Sequence, residues 1–438
     1  MNFPQTGSTK EELFGRMDTL KERDGNWRAG KTWSLVYYAG EEVTKVAEEA
    51  YLRYFHTNAL NPSVFNSLRQ FENEIISMVS DLLHGDENTA GSLTSGGSES
   101  ILMAVKTYRD EARTLHPEIT EPEMVLPISA HASFEKAAHY FGVKPVHIPL
   151  TGEYKADVEA AARAITKNTI LMVGSAPAYP QGVVDPIEDL AKLALDHGIR
   201  FHVDACLGGF ILPFVRDLGY DVPPFDFSIP GVTSISADLH KYGYAAKGAS
   251  TVLYKNADIR RHQYFAYAGW PGGLFVSPSA TGTRPGGAIA AAWAVLQYLG
   301  REGYLKLAGD VMQTTRQLID GIDAIPGLYA LGKPEASVFA VASDTVNVHA
   351  LSDRLEALGW VIDQQTNPSC LHFMVTPAHR EIAGLFLEDL QKAMEDLKNN
   401  PAPETEGSAA IYGMSGRVPQ EQVEEYLAQT LSGWMQKE

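Results

Sequence analysis

Cysteine is scarce in this sequence. Two occur in 438 residues, Cys206 and Cys370, far apart and outside any CxxC or Cys/His spacing. No disulfide framework and no metal site is expected, and a reducing compartment, the cytoplasm, is the expected setting. Long apolar runs are missing as well. No stretch reaches the roughly 18 residues that a membrane-spanning helix needs. The N-terminal residues have no cationic region leading into an apolar core, so neither a signal peptide nor a transmembrane anchor is expected. An excess of basic charge is also absent: 36 Lys and Arg stand against 54 Asp and Glu, for a formal net charge of −18. A surface of that sign repels a phosphate backbone, so nucleic acid is not an expected partner. Repeats and low-complexity tracts are lacking too.

What remains is an ordinary globular balance, 45% hydrophobic and 21% charged. The chain is longer than a single core usually supports, so more than one packed unit is expected. Residues 1–60 read as a mostly helical segment, with the aromatic-rich stretch Trp33–Tyr38 in its middle. A helix is expected from Asn61-Pro62-Ser63 to about Leu83. Between about 90 and 255, apolar runs alternate with helical periodicity. Met124–Ile128, Ile170–Gly174, Ile199–Val203 and Thr251–Tyr254 read as buried strands, and Ser98–Leu115 and Ile187–His197 as helices. That alternation predicts an α/β fold with a mainly parallel sheet. A Gly/Pro-rich stretch, Gly269–Gly287, precedes a long apolar helix, Ala288–Leu299. Beyond it, strands expected at Val338–Ala342, Trp360–Asp363 and His372–Val375 read as a smaller α+β unit. Pro401–Gly407 reads as a loop, and Gln420–Met435 as a final amphipathic helix. The expected division is 1–60, 61–300 and 301–438.

Three short stretches carry chemistry. Thr94-Ser95-Gly96-Gly97-Ser98 runs straight into a helix, where free backbone N–H groups and the helix dipole favour an anion such as phosphate. By itself the run is equally a flexible N-cap. His202-Val203-Asp204-Ala205 puts a carboxylate at the end of an apolar strand, where α/β sheets place ligands. Ser236–Gly243 contains Lys241 in a small, aromatic-rich context, and burial of such an amine exposes a nucleophile. Asp204 alone is more often a turn cap, and Lys241 alone more often a solvated cation. A phosphate loop, a strand-end Asp and then a Lys, in that order, is the chain order of fold-type I pyridoxal-5′-phosphate enzymes.

These stretches resemble sphingosine-1-phosphate lyases and their bacterial relatives, within the group II pyridoxal-phosphate decarboxylases. The similarity covers about residue 35 to the end. It rests most specifically on His202–Phe210 and Lys241-Tyr242-Gly243-Tyr244. It extends through Thr94–Ala104, Ile128–Gly142, Gly174–Pro177, Gly282–Gly287 and the tail Ala410–Met414.

The resemblance implies a fold-type I enzyme with pyridoxal 5′-phosphate held by Lys241 as a Schiff base. It implies Asp204 at the pyridine nitrogen, His131 stacked on the ring, and Gly97, Ser98 and His240 at the cofactor phosphate. Gly282 and Thr283 would reach the neighbouring subunit's cofactor, which makes a homodimer with shared sites the expected active unit. Lys247, in Tyr244-Ala245-Ala246-Lys247-Gly248, matches a lysine that binds substrate phosphate, and Tyr37 and Tyr179 match tyrosines that line the substrate site. For His139, on a helix face, packing is the expected role. Asn61 stands where these lyases carry a phosphate-holding His. An amide can donate a hydrogen bond but brings no charge.

The expected reaction is retro-aldol cleavage of a phosphorylated sphingoid base, a phosphorylated amino alcohol, to a long-chain aldehyde and phosphoethanolamine. The base that takes the β-hydroxyl proton is open between Tyr179, Lys247 and the substrate's own phosphate. Amino-acid decarboxylation is the competing chemistry, since it uses the same electron sink but has no special use for Lys247. A catalytically idle scaffold is the third reading, and the intact set Lys241, Asp204 and His131 argues against it.

Overall fold

The computed structural model describes residues 3–401, 406–413 and 418–435. Met414, at the end of the tail motif, and 402–405, within the expected loop Pro401–Gly407, lie outside the described residues.

The main sheet has seven strands: β1 (Ala90–Thr94), β2 (Glu123–Pro127), β3 (Lys144–Ile148), β4 (Thr169–Ser175), β5 (Arg200–Asp204), β6 (Ser234–Ala237) and β7 (Ser250–Tyr254), in the order β1-β7-β6-β5-β4-β2-β3. The pairs β2–β3, β2–β4, β4–β5 and β5–β6 are parallel, while β7 runs antiparallel to both β1 and β6. Six strands therefore share one direction and β7 alone opposes them. The four expected strands in this region are all present to within a residue or two. Strands β2, β4, β6 and β7 are buried at every residue, as a sheet covered on both faces requires. β1, β3 and β6 escape a sequence reading. β6 is only four residues, two of them serine, and two of the five residues of β3 are polar.

Helices begin and end near the expected positions, with two informative differences. The first post-60 helix starts at Asn66, not at Asn61, because Asn61 Oδ1 accepts from the Ser63 N–H at 3.0 Å and from Ser63 Oγ at 2.7 Å. That side-chain turn competes with helix geometry. The apolar helix expected to end at Leu299 continues from Gly286 to Asp323, broken only by a kink at Gly300, whose φ is 52°. Glycine alone takes that conformation without strain.

A short hairpin, β8 (Phe265–Tyr267) with β9 (Phe275–Ser277), precedes this helix. A second sheet follows, with β10 (Leu328–Ala330), β11 (Val338–Ser343), β12 (Asp363–Thr366) and β13 (Ser369–Met374) in the order β10-β11-β13-β12. The strand expected at Trp360–Asp363 begins only at Asp363. Val361 bonds instead to the N-terminal segment: its N–H donates to the Lys31 carbonyl at 2.8 Å and its carbonyl accepts from Trp33 N–H at 3.0 Å.

The Met374 N–H also donates to the Trp33 carbonyl, and Trp33 is fully buried between His379, Phe386 and Phe373. Residues 1–60 are thus helical only over Lys10–Lys21 and Glu41–Arg53, apart from one short turn at Trp27–Ala29. The stretch between is extended and stitched to the smaller sheet, which places Ser34, Leu35 and Tyr37 at the mouth of the main sheet.

Candidate active site

The C-terminal ends of five parallel strands converge on one cavity of about 600 Å³, the place where open α/β sheets bind ligands. β1 delivers Ser95, Gly96 and Gly97 and the start of the helix Gly97–Leu115. β2 leads to His131, β4 to Pro177 and Tyr179, β5 to Asp204, and β6 to Asp238, His240 and Lys241. Tyr37 and Ser34 come from the N-terminal segment, Asp363 and Met374 from the smaller sheet, and Lys247 from the turn before β7. Of the expected site residues, Gly97, Ser98, His131, Tyr179, Asp204, His240, Lys241, Lys247 and Tyr37 are gathered here.

Lys241 Nζ lies 3.0 Å from Asp238 Oδ2, which is almost fully buried. Burial pulls the lysine pKa down, but the charge of Asp238, with Cys206 and Asp204 behind it, more than reverses this and holds the ammonium above its ordinary range. Burial likewise pushes Asp238 up. Lys241, His240 and Ser250 outweigh it, and the carboxylate is held well below its usual range. Asp238 had no role in the sequence reading. The available signal was a carboxylate three residues before Lys241 in the same short stretch.

Asp204 is fixed by its neighbours. Its Oδ1 accepts from Cys206 N–H at 3.1 Å and from Ser236 Oγ at 3.3 Å. Behind it His202 is fully buried between Ser234 Oγ and Ser236 Oγ. Burial lowers the His202 pKa to about 4, so the ring is neutral at physiological pH. His131 accepts the Ser133 N–H at its Nδ1. His139 is exposed beside Tyr140, so the packing role expected for it does not apply.

The helix-start end of the cavity is built around Gly97. A Cβ there would stand 2.8 Å from Asp238 Oδ2 and 2.9 Å from Cys206 Sγ, and one at Gly96 would press on the His240 ring at 3.2 Å. Only glycine lets the helix start approach this closely. Glu99 ties the loop down, accepting Ser95 N–H at 2.6 Å and Ala280 N–H at 2.7 Å. A helix N-terminus with adjacent hydroxyls, a strand-end carboxylate and a primary amine in one cavity is the donor set that pyridoxal phosphate needs for its phosphate, pyridine nitrogen and aldehyde carbon. The residues present fit the cofactor. Among the described residues no cluster of His, Cys, Asp or Glu suited to a metal occurs.

The cavity holds a second amine. Lys247 Nζ donates to the His240 carbonyl at 3.0 Å and stands 4.8 Å over the Tyr37 ring. Crowding by protein and then the charge of Lys241 lower its pKa to about 8. The Tyr37 hydroxyl points to Met374 Sδ at 3.0 Å. The Tyr179 hydroxyl donates to Asp363 Oδ2 at 2.8 Å, and burial, followed by the Asp363 charge, holds this phenol above its ordinary range. A neutral tyrosine is a poor proton acceptor, so Tyr179 does not take a proton unaided.

Three expected residues lie outside the cavity of their own chain. Asn61 is exposed and engaged in the turn with Ser63, and Gly282 and Thr283 sit on an exposed loop. Asn58 Nδ2 donates to Thr283 Oγ1 at 3.3 Å, so these two segments abut each other.

The pyridoxal-dependent decarboxylase conserved domain matches residues 54–331. The sphingosine-1-phosphate lyase of Oryza sativa subsp. japonica is 46% identical over 422 residues, covering 94% of this chain and 78% of that protein. The chain belongs to the sphingosine-1-phosphate lyase family. A solved structure of the Burkholderia pseudomallei sphingosine-1-phosphate lyase superposes over all of this chain and 98% of its own, with a TM-score of 0.92 at 36% identity. A Lactobacillus brevis glutamate decarboxylase matches at a TM-score of 0.81 over 92% of this chain and 96% of its own. At 19% identity that likeness shows the fold alone.

The chain is therefore a pyridoxal-phosphate enzyme of fold-type I, a large mainly parallel sheet with a smaller sheet after it. Among the described residues no helix is long and apolar enough to cross a membrane.

Proposed function

We propose that this enzyme cleaves the Cα–Cβ bond of phosphorylated sphingoid bases, giving a long-chain aldehyde and phosphoethanolamine. The observation that carries the reading is Lys247: a second amine, in the same cavity as Lys241, braced on the His240 carbonyl and the Tyr37 ring. A decarboxylase has to bind and orient a carboxylate that it then expels. A lyase of this substrate class has to hold a phosphate that stays on the product, and an ammonium against an aromatic face suits that task.

When bound, pyridoxal phosphate supplies the electron sink for the pair released at Cα. Lys241 is the amine that would hold it, Asp204 would keep its pyridine nitrogen protonated and His131 would support its ring. Gly97, Ser98 and His240 would bind its phosphate. Lys247 and Tyr37 anchor the substrate phosphate and so fix which bond at Cα is presented for cleavage. Sphinganine-1-phosphate supplied to the loaded enzyme tests this, with both products followed by mass spectrometry.

The active unit is a homodimer in the cytoplasm, with an N-terminal segment over about 1–60 that reaches the partner, a cofactor unit over 61–300 and a C-terminal unit over 301–438. Support comes from the exposed apolar side chains Leu35, Leu52, Phe55 and Val64, and Trp270, Leu274 and Val276 of the hairpin region. Exposed apolar residues in such number suit a subunit interface. In this arrangement Gly282 and Thr283 complete the partner's phosphate site, and Asn61 turns toward the partner's substrate.

Mixing Lys241→Ala protomers with Thr283→Tyr protomers, each inactive alone, is expected to restore about a quarter of wild-type activity. Half of the randomly paired dimers then hold one intact site. No recovery in verified hybrid dimers would contradict sharing.

A further inference from the structure

Asp363 is the one carboxylate that the smaller sheet sends into the cavity, and the established activity gives it no task. It stands at the first residue of β12. Its Oδ2 accepts the Tyr179 hydroxyl at 2.8 Å and its Oδ1 accepts Ser34 Oγ at 3.1 Å. Tyr179 is clamped from two further directions. His372 stacks on its ring, with centroids 4.0 Å apart and planes 23° apart, and the His372 Nε2–H donates to the Tyr179 carbonyl at 2.8 Å. This phenol is fixed more tightly than binding a flexible lipid requires. Its one hydroxyl hydrogen is given to a carboxylate that lines the same cavity. With that hydrogen committed, the phenol oxygen, itself part of the cavity lining, can meet a further partner only as an acceptor.

We propose that Asp363 is the terminal proton acceptor of a relay through Tyr179: Tyr179 Oη takes the substrate's β-hydroxyl proton as it passes its own proton to Asp363 Oδ2. This rests on the lyase reading. The electron pair of the β-hydroxyl O–H bond becomes the second bond of the aldehyde carbonyl, and the Cα–Cβ pair stays with the amine half. The new O–H bond forms on Tyr179 as its old one breaks, so the tyrosine is never an anion. The overall cleavage neither consumes nor releases a proton, and the proton held on Asp363 returns by the same path as Cα is protonated. Asp363 acts through Tyr179 and does not touch the substrate, so it is a positioning residue. The raised Tyr179 phenol agrees with this arrangement, because a lone tyrosine base would need to ionise.

The groups facing Asp363 allow the role. Ser34 and Tyr179 donate to it. His372, directly across on β13, is kept neutral by burial, which lowers its pKa to about 4. Tyr412, from the helix Gly407–Tyr412, lies close enough that its phenol is raised by burial and then by the Asp363 charge. Across the cavity stand Lys241, Lys247, Asp204, Asp238 and His131.

The test is Asp363→Asn, which keeps the shape and removes the accepting charge. In the loaded enzyme with sphinganine-1-phosphate, kcat is expected to fall about 10²-fold or more with KM little changed. Tyr179→Phe is expected to show a similar loss, and the double variant no further loss. Asp363→Glu is expected to restore part of the rate.

A second readout needs no turnover. With 3-fluorotyrosine at position 179, the ¹⁹F resonance should titrate at lower pH in Asp363→Asn than in the parent, with and without cofactor. A parent enzyme that cleaves while Asp363→Asn matches its kcat overturns the relay. An unmoved ¹⁹F titration overturns it also. A parent protein that makes no aldehyde overturns the lyase reading on which the relay depends.

Discussion

Lys241→Ala is expected to lose lyase activity by about 10⁴-fold or more, together with the visible absorbance that the covalently held cofactor gives the protein. No other amine can take over without rebuilding the cavity, since Lys247 is committed to the His240 carbonyl and the Tyr37 face. The same substitution has a structural consequence. It leaves the Asp238 carboxylate buried without its ammonium partner, and a broken buried pair costs about 3 kcal/mol. Lys241→Arg separates the two effects. A guanidinium can keep the charge opposite Asp238 but cannot condense with an aldehyde, so the thermal midpoint should largely recover while activity and colour stay absent.

The pH sign follows from the depressed Asp238. Its folded pKa lies below the unfolded one, so the pair's stabilisation is fully present above the ordinary carboxylate range and is lost only as pH falls further. Thermal melts of the three cofactor-free proteins between neutral and acidic pH measure this directly. Equal midpoints for Lys241→Ala and the parent at neutral pH would contradict the buried pair.

Lys247→Ala is expected to reduce kcat/KM for the phosphorylated substrate on the order of 10²-fold, mainly by raising KM. That is the usual loss when one partner of a desolvated charge pair is removed. The direction of the pH dependence distinguishes its possible tasks. With a pKa lowered to about 8, the amine of the free enzyme is charged below that pH and neutral above it. A phosphate anchor works when charged, so kcat/KM declines as pH rises through about 8. Bound phosphate favours the ammonium, so kcat itself holds to higher pH. A general base works when neutral and would give the opposite slope, with activity rising through the same range. Steady-state profiles of kcat and kcat/KM across that interval, with and without Lys247→Ala, decide between them. An unchanged kcat/KM in the variant would remove Lys247 from substrate binding.

The parts of this site that a sequence can display are those written within one short stretch. The Gly/Ser run at 94–98, Asp204 and Lys241 each sit in a local pattern, at a helix start, at a strand end and in a small-residue block, and the α/β alternation fixes which end of the sheet they share. The helix after 60 was expected too early because Asn61-Pro62-Ser63 looks like a cap, whereas the Asn61 side chain closes a turn of its own. β12 was expected three residues early because Trp360–Ile362 is apolar. That stretch is apolar because it packs on the N-terminal segment, not because it lies in the sheet.

Asp363 and Ser34 could not be read at all as site residues. They meet across a separation of 329 positions, through a main-chain stitch between residues 31–34 and the smaller sheet. Nothing local marks either side chain as polar for a reason. Asp238 was within sight, in the same stretch as Lys241, but an Asp three residues from a Lys carries no message about burial. Burial is what turns that pair from an ordinary surface contact into a controlling charge.

In the proposed reaction the phosphate held by Lys247 and Tyr37 stays on the product while the Cα–Cβ bond breaks. The most direct measurement supplies sphinganine-1-phosphate to the pyridoxal-phosphate-loaded enzyme and follows long-chain aldehyde and phosphoethanolamine together by mass spectrometry, beside a panel of amino acids monitored for carbon dioxide. The account predicts the two cleavage products in equal amounts and no carbon dioxide. Carbon dioxide from an amino acid, with no aldehyde from the sphingoid base, would contradict it.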